Sequence, residues 1–238
     1  MGQSSGFAGL RIGVTGAGGS FGQALLRQLH QQGASLVALR HSAGSLDLRD
    51  AAGGQIPVQT VTWQVGEEEQ LTALLAELQI LVINHGINVM GARDREATRL
   101  SLEVNTLSAL RLLELFLASP NPSGQRREIW VNTSEAEVNP AFSPLYEISK
   151  RTLGQLLSLR SLDAPWPVRR LVLGPFRSAL NPYGFMDADR VAAAVVAQVL
   201  AGRELVIVSP NPLTWLLMPL AAWGRRLYFS WFTRHRDP

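Results

Sequence analysis

Leu10-Arg11-Ile12-Gly13-Val14-Thr15-Gly16-Ala17-Gly18-Gly19-Ser20-Phe21-Gly22 is the stretch on which the reading of this chain turns. Leu10–Thr15 is apolar and β-forming, which predicts a strand, and Phe21–Gln32 carries the apolar spacing of an amphipathic helix that ends at Gly33. Between them the glycines permit a tight turn. A backbone without Cβ atoms can approach a pyrophosphate, and the helix N-terminus that follows favours its negative charge. Either the turn is an ordinary strand–helix connection or it is a dinucleotide site; its place between strand and helix at the start of the chain favours the second.

Working outward, apolar β-type runs alternate with helical-period segments. Strands are expected at Ser35–Arg40, Gln59–Val65, Ile80–Asn84, Glu128–Thr133, Val168–Leu173 and Leu205–Ser209. Helices are expected at Glu68–Leu78, Leu100–Ala118, Leu145–Leu162 and Asp189–Ala201. Ile80–Ile83 is wholly apolar, as a strand buried on both faces should be. The alternation predicts an α/β fold, a doubly wound, mostly parallel seven-stranded sheet flanked by helices, in a single domain. Residues 1–210 form that domain, and 211–238 read as an aromatic, arginine-rich tail.

Composition removes several classes. With 238 residues, 46% of them hydrophobic, the chain can bury one substantial core. No Cys is present, which excludes disulfides, thiolate metal sites and cysteine nucleophiles. The four His (30, 41, 85 and 235) lack metal-ligand spacing, so no metal is expected, and His85 reads as a residue without a partner. A net charge of +3 with dispersed arginines, paired only at 126–127, 169–170 and 225–226, argues against nucleic acid. The N-terminus lacks the features of a signal peptide, giving a cytoplasmic expectation.

Two side chains carry more specific chemistry. The second strand ends at Arg40, with no acid between Leu36 and Ser45. An acid there would bind a ribose 2′-hydroxyl, whereas an arginine suits a 2′-phosphate, so NADP(H) is favoured over NAD(H). Among 22 basic residues one alone is a lysine, Lys150, one helical turn after Tyr146. An ammonium there can hydrogen-bond a ligand hydroxyl and, through its charge, is expected to lower the phenol's pKa.

Together these motifs resemble the short-chain dehydrogenase/reductase family over about residues 8–210. Thr15-Gly16, Ser20 and Gly22 are similar to its glycine fingerprint, with Ser20 where the middle glycine usually stands and Phe21 beside it. Asn84 and Gly86 match the turn closing its fourth strand. Asn105, Ser134, Tyr146 and Lys150 match its catalytic set, and Gly174-Pro175 follows the sixth strand in inverted order. The resemblance implies a nicotinamide cofactor held by these residues, with Tyr146 as general acid/base and Ser134 polarising a carbonyl or hydroxyl. It implies that Asn105 fixes a water or backbone group that continues a proton path from Lys150. Ser134 lies 12 residues before Tyr146, one fewer than usual, leaving Thr133 as an alternative hydroxyl, and Gln64 stands where an adenine-contacting Asp is usual.

The expected activity is hydride transfer between NADP(H) and an alcohol or carbonyl of a lipophilic small molecule. The alternative is a catalytically weak regulatory or membrane-associated lipid-pathway protein on the same fold. The resemblance also implies a homodimer or homotetramer through helices 100–118 and 145–162. The tail over 213–236 holds three of the six Trp and four Arg. Its apolar run is too short to span a bilayer, and Pro219 is expected to interrupt a helix. It fits either a peripheral contact with anionic lipid or packing on a partner subunit.

Overall fold

In a computed structural model, residues 6–121, 124–125 and 127–234 are described; Arg126, His235 and Arg236 lie outside them. Seven strands, β1 (Arg11–Thr15), β2 (Ser35–Arg40), β3 (Gln59–Thr62), β4 (Ile80–Ile83), β5 (Glu128–Ser134), β6 (Val168–Leu173) and β7 (Leu205–Val208), form one sheet in the order β3-β2-β1-β4-β5-β6-β7. Every pairing among them is parallel. The order reverses between β1 and β4, and the crevice at that switch point is where a ligand fits an open α/β sheet.

Alternation along the strands builds two cores. Ile12, Val14, Leu36, Ala38 and Val82 face α1 (Ser20–Gln31) and α6 (Ala188–Leu200), whose Leu25, Leu29, Val195 and Val199 are buried. Val37, Leu39, Leu81, Ile83 and Val131 face the other way. They meet α2 (Thr72–Glu77), α4 (Ser108–Ala118) and α5 (Pro144–Arg160) through Leu75, Leu112, Phe116, Leu153 and Leu157. On β1 that second face belongs to Gly13, where an added Cβ would lie 2.5 Å from Leu78 Cδ1.

The arginines explain their own abundance. Buried Arg127 donates to Leu75 O (2.8 Å), Leu78 O (3.2 Å) and Ser119 O (2.9 Å) while its guanidinium lies 3.9 Å above the Phe116 ring. Arg169 binds Glu128 in a buried two-point pair at 2.6 and 2.9 Å. A planar fork with five donors satisfies several carbonyls at once in fixed directions, two donors more than an ammonium carries.

Two elements depart from the sequence reading. The helix expected from Leu100 starts earlier, as α3 (Arg95–Leu102), because Asp94 caps it by accepting from Ala97 N at 2.9 Å. It continues into α4 through a π-helical turn, Glu103–Leu107. The tail forms α7 (Pro212–Phe232), which runs through Pro219 rather than breaking there. Pro219 is exposed, so the ring meets no packed neighbour and the helix forgoes one main-chain hydrogen bond. Asn211 caps α7, and Pro212 occupies its first turn. Among the described residues no helix is long and apolar enough to cross a membrane.

Candidate active site

The C-terminal ends of β1, β2, β4, β5 and β6 open into one cavity of about 1290 Å³. Gly16, Ser20, Phe21, Gly22, Arg40, Asn84, Gly86, Ser134, Tyr146, Lys150, Gly174 and Pro175 all line it, so the sequence-predicted residues converge apart from Asn105. The glycine turn sits at one end. Gly16 has φ +62, and an added Cβ there would lie 2.9 Å from His85 Cα. Phe21 turns its ring into the core against Phe176 (5.7 Å between centroids), so what it offers the cavity is main chain. At Gly22 a Cβ would overlap Gly16 O and lie 2.9 Å from Ala17 Cα. These are backbone atoms and cannot move unless the turn opens. Gly22→Ala is therefore expected to cost about 1–3 kcal/mol of stability by thermal denaturation and to weaken dinucleotide binding in a fluorescence titration.

Asn84 closes the crevice. Its N–H donates to Thr15 Oγ1 (2.8 Å), and its Oδ1 accepts from Asn132 Nδ2 (2.7 Å). Gln64 donates to His41 O at 3.2 Å, joining the loops after β2 and β3. The inverted Gly174-Pro175 has a steric reason: a Cβ at Gly174 would come within 2.9 Å of Pro210 Cδ. Two polar atoms at the wall are buried and, among the described residues, unpartnered: Arg40 Nε and Asn132 Oδ1. A cationic donor beyond β2, a glycine cradle at a helix N-terminus and an amide-oxygen acceptor deeper in the crevice fit the phosphates and carboxamide of a nicotinamide dinucleotide.

At the other end lie the reactive groups. Ser134, the last residue of β5, caps the turn that follows it by accepting from Ala136 N (3.2 Å), and its hydroxyl is near enough to Tyr146 to favour the phenolate. Thr133 is directed elsewhere, its hydroxyl donating to Leu171 O at 3.3 Å. Asn105, placed by the π-helical turn, is engaged with backbone. Its Oδ1 accepts from Ile87 N (2.8 Å), and its Nδ2 donates to Ile87 O (3.0 Å) and Ser149 Oγ (3.0 Å). It pins the loop after Gly86 to α5, and within its described bonds it does not reach Lys150.

The electrostatics correct one expectation. Tyr146 is shifted up, not down: burial of the phenol dominates, and the Ser134 hydrogen bond offsets it in part. Lys150 is itself lowered to about 8 by burial, against a smaller opposing pull from Glu137. Its Nζ donates to Asn132 O (3.1 Å) and lies 5.8 Å from the centre of the Tyr146 ring, so its charge is spent on the strand rather than on the phenol.

His85 was missed as a structural node. Its Nδ1 lies 2.9 Å from Thr15 Oγ1 and its Nε2 lies 3.1 Å from Ser108 Oγ, with the Trp63 ring edge-on at 5.1 Å. Ser108 gives its proton to Glu68 (2.5 Å), so it accepts from His85 Nε2–H, which leaves Nδ1 to accept from Thr15. Burial, with the nearby Lys150 charge, lowers His85 to about 4, so it is neutral. Burial alone would raise Glu68, but bonds from Arg111, Ser108 and Gly66 bring it down to about 2. The unfolded chain takes up a proton at His85 near its ordinary value of 6.5, while the folded chain resists until about 4. The His85 contribution to stability is therefore fully present above about pH 6.5 and falls away, by on the order of 3 kcal/mol, toward pH 4. Melting temperatures at pH 7 and 4.5 check this, and His85→Gln, which cannot titrate, should flatten the change.

Residues 12–211 match the NAD dependent epimerase/dehydratase family. A monoglucosyldiacylglycerol epimerase from Synechocystis sp. is 51% identical over 236 residues, 98% of this chain; the chain spans 57% of that relative's length. Two solved structures share the fold. One is a short-chain dehydrogenase from Sphingobium yanoikuyae in complex with NADPH (TM-score 0.75, 20% identity, 96% of this chain and 98% of that one). The other is a short chain dehydrogenase from Burkholderia cenocepacia in complex with NADP (TM-score 0.73, 22% identity, 95% and 99%). The chain belongs to the NAD dependent epimerase/dehydratase family.

Proposed function

We propose that this chain is an NADP(H)-dependent epimerase that inverts one hydroxyl-bearing carbon in the sugar headgroup of a glucosyl-diacylglycerol. The observation that carries the reading is the single cavity shared by the glycine turn and the Ser134–Tyr146–Lys150 group, together with the 51% identical relative named for that substrate. A nicotinamide bound there would accept a hydride from the carbinol carbon and return it, so the net reaction consumes no reductant. Gly16, Ser20, Gly22 and the first turn of α1 would hold its pyrophosphate, with Asn84, Gly86, Gly174 and Pro175 bounding its other half and Lys150 within reach of a ribose.

The chain's own residues handle the proton and the oxygen. Tyr146 Oη, as the phenolate, takes the hydroxyl proton as the carbon is oxidised and, held as the phenol in the interval, gives it back on return. Ser134 holds the same substrate oxygen and favours the phenolate that must be present before the proton is taken. The cavity of about 1290 Å³ spans both the dinucleotide cradle and the Ser134–Tyr146 end, and inversion requires that this end let the oxidised sugar present its other face. Asn105 acts as a positioning residue, through Ile87 and Ser149.

The unpartnered Arg40 Nε supports a 2′-phosphate on the ribose. Arg40→Glu is expected to weaken NADPH by about tenfold or more, the scale of one charged hydrogen bond, and to spare NADH, as measured by direct titration of each.

Monoglucosyldiacylglycerol in detergent micelles, incubated with the chain and a catalytic trace of NADP⁺, should yield the epimeric headgroup by chromatography. Accumulation of NADPH in step with an oxidised product, with no epimer, would instead identify a net alcohol dehydrogenase.

A further inference from the structure

α7 turns its polar and small side chains inward. Thr214 Oγ1 accepts from Asn139 Nδ2 (2.9 Å), Met218 packs on Val172 and Ile207, and Arg225 pairs with the buried Glu137 at 2.5 Å. Spaced at three and four residues on the opposite side run Leu213, Leu216, Leu220, Trp223, Leu227 and Trp231. Leu216 and Leu220 are more than half exposed, Trp223 is 65% exposed and Trp231 is 77% exposed. An amphipathic helix of a water-soluble surface buries such a stripe. This helix is fastened by its other face, so the stripe is held outward.

A second apolar surface rims the cavity. Phe142 and Tyr183 line its mouth and are almost wholly exposed, and Met90 beside them is held at φ +53 by Asn88 Oδ1 and Ser143 Oγ. A bulky residue in the left-handed region costs energy that only surrounding structure sustains. The two surfaces follow adjacent strands, the Tyr183 loop leaving the C-terminal end of β6 and α7 that of β7. The loop that carries Tyr183 begins at Gly174, which packs on Ser209 and Pro210, immediately before α7. The charge beside the stripe is of one sign. No Asp or Glu occurs from 205 to 234, while Arg226 and Arg234 are exposed.

We infer that α7 and the cavity rim form a docking surface for an anionic lipid bilayer, which sets the cavity mouth at the headgroup layer. The inference rests on the glycolipid reading above: a diacylglycerol substrate could present its sugar to the site while its acyl chains stay in the membrane. Leucines and tryptophans would lie at the acyl–headgroup boundary, with the guanidinium groups toward the lipid phosphates.

Flotation of the full chain with vesicles of phosphatidylcholine and phosphatidylglycerol tests it. The wild type should float with the mixed vesicles and less with phosphatidylcholine alone. The double variant Leu220→Glu/Trp223→Glu should lose about tenfold or more of the binding while keeping its circular dichroism and melting temperature. Arg226→Glu should reduce the preference for phosphatidylglycerol. The double variant should epimerise monoglucosyldiacylglycerol in micelles at a rate within about twofold of wild type, and fail only on vesicles. A wild type that stays with the soluble fraction overturns the inference, as does flotation indifferent to the double variant. So does a dimer, measured by light scattering, that the double variant converts to monomer, since a second copy would then cover the stripe. Absence of epimer in micelles would count against the epimerase reading alone, because flotation is scored without turnover.

Discussion

Tyr146→Phe is expected to lower kcat for epimerisation by about 10²–10⁴-fold while leaving the fold and the dinucleotide affinity in place. The variant keeps the aromatic ring and removes one heavy atom, the hydroxyl oxygen beside Ser134. Ser134 keeps its bond from Ala136 N at 3.2 Å, so the turn after β5 stays capped. What is lost is the group that takes the proton and returns it. In energy this is about 3–5 kcal/mol of transition-state stabilisation, and KM should change little because substrate binding does not depend on that proton. Steady-state kinetics on micellar substrate, with a cofactor titration as the control, measures it. Turnover that survived the substitution would leave the proton to another group and remove the proposed role of Tyr146.

Lys150→Arg is expected to be nearly as damaging, a fall of about a hundredfold or more, although the charge is conserved. Lys150 is 4% exposed and its Nζ sits 3.1 Å from Asn132 O. A guanidinium is a planar fork on a differently shaped stem, and it cannot place a single compact charge at that position. It is also a permanent cation, whereas burial brings the Lys150 ammonium down to about 8. The two explanations separate by pH. The wild-type profile of kcat/KM, which reports the free enzyme, should carry an inflection near 8, and the arginine variant should lack it. If the variant kept both its rate and the inflection, the lone lysine would have no special task.

The sheet was legible because most of its strands are short apolar runs, and β2 and β6 coincide with their sequence limits residue for residue. The first helical turns after Asp94 were not, since Arg-Glu-Ala-Thr-Arg offers no apolar stripe and only the cap marks the start. Nor does one extra residue in a helix leave a sign, so the π-helical turn that aims Asn105 at Ile87 could be found only in three dimensions. Of the site, identities and order were readable and electrostatics were not. The spacing of Tyr146 and Lys150 suggested a lowered phenol pKa, but burial reverses the sign and Asn132 O takes the ammonium. His85 seemed idle because its partners, Thr15 and Ser108, lie 70 and 23 residues away. Asn132 carried a faint signal, being two residues before Ser134 and so on the same face of β5.

In the proposed reaction one ring carbon gives up its hydrogen as hydride and receives that same hydrogen back on the opposite face. Monoglucosyldiacylglycerol deuterated at every ring carbon of its sugar, turned over in ordinary water with catalytic NADP⁺, tests this by mass spectrometry of the epimer. The expected product keeps all of its carbon-bound deuterium, and unlabelled substrate turned over in D₂O gains none on carbon. Loss of one deuterium per turnover to the solvent would mean inversion by proton removal and return, and would contradict the hydride mechanism.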